Sequence, residues 1–111
     1  MNTKRVLLDR PAIPFNRFFQ RGISSCRAYL TLREDFRSHV RRVQRDIGFR
    51  GIRFHGIFDD EVGAVHYAPA RYTDPDGGPR LNFQNIIRIY RFFVEQGMTP
   101  FVELGFMPEQ F

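Results

Sequence analysis

Between Phe49 and Phe58 the chain alternates, with Ile52 and Phe54 on one side of an extended segment and Arg53 and His55 on the other. This period of two predicts a strand over 50–57 with one buried face and one polar face. Upstream, Phe36, Val40, Val43 and Ile47 recur at spacings of four, three and four, which places them on one helical face, and Gly48 supplies a left-handed stop. Thr31 followed by Glu34 has the spacing of a capping box, so that helix is expected over about 33–47. Arg37, Arg41 and Arg45 step along another face of it, which reads as its solvated back. A second stripe, Phe83, Ile86, Ile87, Tyr90, Phe93 and Val94, predicts a helix over about 83–96 that Gly97 ends.

Two shorter apolar segments complete the pattern as strands, at 23–30 and at 99–105, with Pro100 tolerable at the start of the second. Residues 59–79, rich in Asp, Gly and Pro, read as a loop. Residues 1–22 set Pro11, Pro14 and Gly22 among Phe15, Phe18 and Phe19, the composition of an irregular arm docked by aromatic packing. The order strand, helix, strand, helix, strand favours parallel strands joined by right-handed crossovers, with both helices on one side. A doubly wound sheet and a (β/α)₈ barrel share that order. No G-x-G-x-x-G follows a strand, which removes the main support for a dinucleotide fold.

Composition agrees with a single packed body. The chain has 111 residues, 42% hydrophobic and 26% charged, and its 13 Phe and 4 Tyr carry more apolar surface than a solvated tail would. The net charge of +5 raises the question of an acidic partner. The basic residues, arginine apart from Lys4, are scattered from Lys4 to Arg91 without a basic stripe or a nucleic-acid motif, so no nucleic acid is expected. The single Cys26 cannot form an internal disulfide. With no signal-like segment and no run near the ~20 apolar residues of a membrane span, cytoplasmic residence without a membrane partner is expected.

In a barrel the chemistry gathers at the carboxyl ends of the strands, which selects Arg53, His55, Asp59, Asp60, Glu103 and Phe106. Arg53 and His55 share a face and precede Gly56, where the backbone can turn close to a ligand. They can equally be interior residues satisfied by structural hydrogen bonds. Glu103 lies in an apolar strand and needs a partner, for which Arg53 one strand away is the natural choice. Adjacent Asp59 and Asp60 suit loop hydrogen bonding or capping better than a general acid and base facing one substrate. His39 and His66 lack metal-ligand partners at suitable spacing, and Cys26 lacks a His base, so neither a metal, a cofactor nor a cysteine nucleophile is expected.

Three ordered stretches, Leu32-Arg33-Glu34-Asp35-Phe36, Gly48 through Asp60, and Pro100 through Pro108, together with Asn82-Phe83, resemble successive signatures of glycoside hydrolase family 39, the β-xylosidases and α-L-iduronidases. They are nearer the bacterial β-xylosidase branch, and the agreement runs from about Cys26 to the C-terminus. Cys26, Glu61 and the loop from Val62 to Arg80 depart from the pattern. The resemblance implies an α/β fold that is part of a (β/α)₈ TIM barrel, with about three parallel strands and two helices, residues 23–111 forming its N-terminal portion behind the arm 1–22. It implies a retaining hydrolase of β-xylosides or related O-glycosides whose acid/base and nucleophile glutamates lie on the fourth and seventh strands, outside this chain. By resemblance His55 binds sugar hydroxyls, Phe106 borders the sugar-binding subsite, Arg53 supports the nucleophile electrostatically, and Glu103 stands behind these groups as support. No residue of this chain is then catalytic, and its partners are a xylose-containing or related saccharide and the remainder of the barrel. The alternative expectation is a stand-alone α/β binding module without catalysis.

Overall fold

The structure, a computed structural model, describes residues 3–7, 9, 11–66 and 78–109. Three strands, β1 (Ile23–Arg27), β2 (Gly51–His55) and β5 (Thr99–Val102), form a sheet in that order, with both pairings parallel. Helix α1 (Glu34–Asp46) links β1 to β2, and α2 (Gln84–Glu95) leads into β5. In register, Ile23 faces Ile52 and Ile52 faces Pro100, while Ser24 faces Arg53 and Arg53 faces Phe101. These two rows lie on opposite faces of the sheet because side chains alternate along a strand.

The first row meets the helices. Ile52 and Phe54 are buried with Ala28, Val40, Ile89, Phe92 and Phe93, and the Phe54 ring stacks on Phe93 at 5.5 Å between centroids and 20° between planes. The second row, with exposed Ser24, Arg53 and Phe101, is covered by neither α1 nor α2. This arrangement is the α/β pattern of a barrel segment, helices outside and an inner face turned away from them.

Several local expectations are corrected. β1 ends at Arg27 rather than near 30, because the chain tightens into a 3₁₀ turn over Ala28–Leu32 that buries Ala28 and Thr31 against both helices. The capping box does not form: Thr31 Oγ1 is buried without a hydrogen-bond partner, and Arg33 takes the cap position in extended conformation without a side-chain cap. Glu34 instead accepts from Arg41 Nη1 at 2.6 Å. The arginine row is not simply a solvated back either. Arg37 donates from Nε to the Thr31 carbonyl at 2.6 Å, and the Arg37 and Arg41 guanidiniums lie 5.0 and 5.5 Å from the centre of the Phe92 ring.

That contact also shows how α2 is rotated. Its buried face is Ile86, Ile89, Phe92 and Phe93, whereas Phe83, Ile87 and Val94 from the expected stripe are exposed. α2 leans on the 3₁₀ turn as well as on the sheet, so Phe92 is covered from the side of α1. Gly48 and Gly97 both take positive φ, 77° and 73°, as the helix stops require. A short antiparallel clip, β3 (Val65–His66) against β4 (Arg80–Leu81), was not foreseen within the loop expected over 59–79, much of which lies outside the described residues. In the arm, Phe15 and Phe18 are exposed, and attachment comes through Gln20: its carbonyl accepts from the Arg50 amide at 2.8 Å and its side-chain amide donates to the Ile47 carbonyl. Within the arm the Phe15 and Phe19 rings also meet, 5.8 Å between centroids.

Candidate sugar-binding site

β2 ends at His55, and Gly56 turns the chain with φ of 73°, a conformation that side chains bearing a Cβ resist. The loop that follows is a pair of consecutive turns, in which the Asp59 amide donates to the Gly56 carbonyl at 3.3 Å and the Val62 amide to the Asp59 carbonyl at 2.9 Å. The Ile57 amide reaches across to the Gly105 carbonyl at 3.0 Å, which ties the loop after β2 to the segment after β5. This link brings Phe106 edge-on to His55, with 5.6 Å between ring centres and 84° between planes.

Each predicted site residue thus has a defined place. His55 is half-buried and Phe106 is exposed beside it at the carboxyl end of the sheet. Arg53 lies two residues earlier on the uncovered face and donates from Nε to the carboxylate of Glu103, just beyond the end of β5. The adjacent acids Asp59 and Asp60 point to different partners. Asp59 approaches Arg27, whereas Asp60 Oδ2 accepts from the Glu109 amide at 3.3 Å.

Sequence reasoning passed over Arg27. It is the last residue of β1, pairs in register with His55, and contacts Glu61 at 2.8 Å and Asp59 at 3.6 Å. The signal was present in the three consecutive acids Asp59-Asp60-Glu61, whose mutual repulsion calls for a cation nearby. Among the described residues no group of three or more His, Cys, Asp or Glu side chains could hold a metal ion, and no helix is long and apolar enough to cross a membrane.

A hollow of about 920 Å³ lies away from this site. It lies by the amino ends of the strands, between Phe18, Phe19 and Arg21 of the arm and Gly51, Arg53 and Phe101 of the sheet. Its place beneath the uncovered sheet face makes it part of the barrel interior, whereas ligands of barrels are met at the opposite, carboxyl end. His55 and Phe106 therefore mark the candidate site.

Residues 4–111 match the family model described as glycosyl hydrolases family 39. The chain is 38% identical over 94 residues to a β-xylosidase of Caldicellulosiruptor saccharolyticus, covering 85% of this chain and 18% of the relative. It is 37% identical over 89 residues to a β-xylosidase of Geobacillus stearothermophilus, covering 78% and 17%. A solved family 39 β-xylosidase from Caulobacter crescentus superimposes with a TM-score of 0.71 at 36% identity, over 93% of this chain and 22% of that one. The family 39 enzyme from Xanthomonas axonopodis pv. citri gives 0.70 at 30% identity, over 88% and 18%. The chain thus spans about a fifth of the length of its relatives. With its parallel sheet, its outer helices and these matches, the chain belongs to glycosyl hydrolase family 39, as the N-terminal part of a β-xylosidase-like (β/α)₈ barrel.

Proposed function

We propose that this chain supplies part of the sugar-binding surface of a retaining glycoside hydrolase acting on β-xylosides or related O-glycosides, and that both catalytic carboxylates come from the remainder of the barrel. The observation that carries this reading is the His55–Phe106 corner at the carboxyl end of the sheet. An imidazole can donate to or accept from sugar hydroxyls, and an aromatic ring offers an apolar wall for the sugar's C–H face. Arg53, held by Glu103, sets a fixed positive charge behind them where a neighbouring carboxylate would be kept ionised.

Retention requires two carboxyls about 5 Å apart, one as nucleophile and one as acid and then base. The acids near the candidate site are otherwise engaged: Asp59 and Glu61 face Arg27, Glu103 faces Arg53, and Asp60 accepts a backbone amide. Purified chain is expected to release no aryl leaving group from an aryl β-xyloside above a buffer blank. Mixing it with a polypeptide carrying the rest of the barrel restores turnover, and His55→Ala in this chain lowers it. Turnover by the chain alone that vanishes in Glu103→Gln or Asp60→Asn would overturn the proposal, as would a complemented barrel indifferent to His55→Ala.

A further inference from the structure

Arg27 stands at the end of β1, yet its guanidinium reaches over the end of β2 to two acids of the following loop, with Nη1 at 2.8 Å from Glu61 and Nη2 at 3.6 Å from Asp59. All three side chains are partly exposed, with relative exposures of 46% for Arg27, 23% for Asp59 and 39% for Glu61. Ion pairs this wet add little to overall stability, so their convergence has to be explained by the geometry they impose.

That geometry leads to the two rings. The Asp59 side chain lies over Gly56: a Cβ built there would be 3.5 Å from Asp59 Oδ2, and the same point is 3.9 Å from Cδ2 of Phe106. Asp59 and Phe106 therefore press on one glycine, the residue directly after His55. The next residue, Ile57, holds the Gly105 carbonyl and so the peptide that begins Phe106. The loop after β2 consequently joins the ends of all three parallel strands, and Arg27 is its only ion-pair partner among the described residues.

We infer that Arg27 is a positioning residue for a saccharide site: by neutralising Asp59 and Glu61 it seats this loop, and the loop sets how His55 and Phe106 face each other. The inference rests on the reading of these two rings as sugar-binding for its ligand class, but not for its geometry. Without the guanidinium, Asp59 and Glu61 repel each other, the loop lifts from Gly56, and the Phe106 edge leaves the imidazole.

The test uses the full 111-residue chain with labelled histidine, assembled with a polypeptide carrying the rest of the barrel. The carbon-bound imidazole protons of His55 should carry a ring-current displacement from Phe106. Arg27→Gln is expected to abolish that displacement with the thermal midpoint kept, and to weaken binding of methyl β-D-xyloside by about tenfold, the scale of one well-placed contact. Adding Asp59→Asn and Glu61→Gln to Arg27→Gln removes the repulsion and should restore both. Arg42→Gln, which breaks a pair with Asp46 on the back of α1, should change neither. If Arg27→Gln fails to fold, Arg27→Lys keeps the charge without the two-pronged fork and should give an intermediate displacement. An unchanged His55 displacement in Arg27→Gln or Arg27→Lys, or failure of the neutralised triple variant to restore it, overturns the inference. An Arg27-dependent displacement in an assembled barrel that does not bind the xyloside refutes the sugar reading and leaves the positioning role standing.

Discussion

Arg53 donates to Glu103 across the junction of β2 and β5, on the sheet face that neither α1 nor α2 covers. Register places Arg53 opposite Phe101, so Glu103 is the next residue in the direction of β5 on that same face. Their side chains are 61% and 31% exposed, which puts the pair among those that contribute little in water. Glu103→Gln is expected to lower the unfolding free energy by less than about 1 kcal/mol, measured by urea denaturation. A loss of several kcal/mol would mean the pair is desolvated.

The opposite face should respond differently. Phe93 is fully buried and stacks on Phe54, so Phe93→Ala removes both ring burial and the stacking contact, at an expected cost of about 3 to 5 kcal/mol. Its neighbour Val94 is 62% exposed, and Val94→Ala should stay within about 0.5 kcal/mol. Circular dichroism through a urea titration compares the two. Equal effects would contradict the observed rotation of α2.

The start of α1 should be sensitive to acid. Glu34 is held below the ordinary carboxylate range, chiefly by its hydrogen bond from Arg41, and Asp35 likewise by the guanidinium of Arg33 and then by the Phe36 amide. A carboxyl whose folded pKa lies below its unfolded one adds stability that is present above the unfolded value and lost as pH falls through the folded value. Both acids are exposed, so the effect is small and confined to pH below about 4. Carboxyl carbon shifts followed by NMR should titrate late for Glu34, and Arg41→Gln should bring them back to the ordinary range.

Isolated chain is expected to associate with itself. β1 and β5 each have one unpaired edge among the described strands, and Phe101, Leu104, Phe106 and Phe18 are exposed nearby. Each large side chain left in water forfeits roughly 1.5 to 3 kcal/mol, so four of them match a typical net stability of about 5 to 15 kcal/mol. Light scattering combined with calorimetry checks this. A monodisperse monomer with one sharp transition would mark a self-sufficient domain and favour a stand-alone binding module.

The parallel sheet was legible because β2 alternates so plainly: with Ile52 and Phe54 inward, Arg53 and His55 have to face the other way. The Arg53–Glu103 pair followed from the cost of an unpartnered carboxylate in an apolar strand. The rotation of α2 did not follow, because Ile86 and Phe93 fit both the expected stripe and the observed one, and only packing by the 3₁₀ turn selects Ile89 and Phe92 over Ile87 and Val94. Thr31 misled for a related reason: the capping spacing is local, whereas burial of that turn is a tertiary effect that removes the hydroxyl from the helix end. Arg27 was missed at the site because its partners are 32 and 34 residues away, and pairing at that range shows only after the strand ends are brought together.

The clip of Val65–His66 on Arg80–Leu81 closes the loop between β2 and α2 at its base, and it is braced by the Asn82 amide on the Ala64 carbonyl and by the Asn85 side chain on the Val62 carbonyl. The clasp fixes the two ends, His66 and Arg80, against each other. Lengthening a closed loop is inexpensive, about 0.6 kcal/mol for each doubling. A change in the number of residues between positions 66 and 80 should therefore cost little in stability, whereas one within Gly56 through Val62 would break the turns that these braces hold.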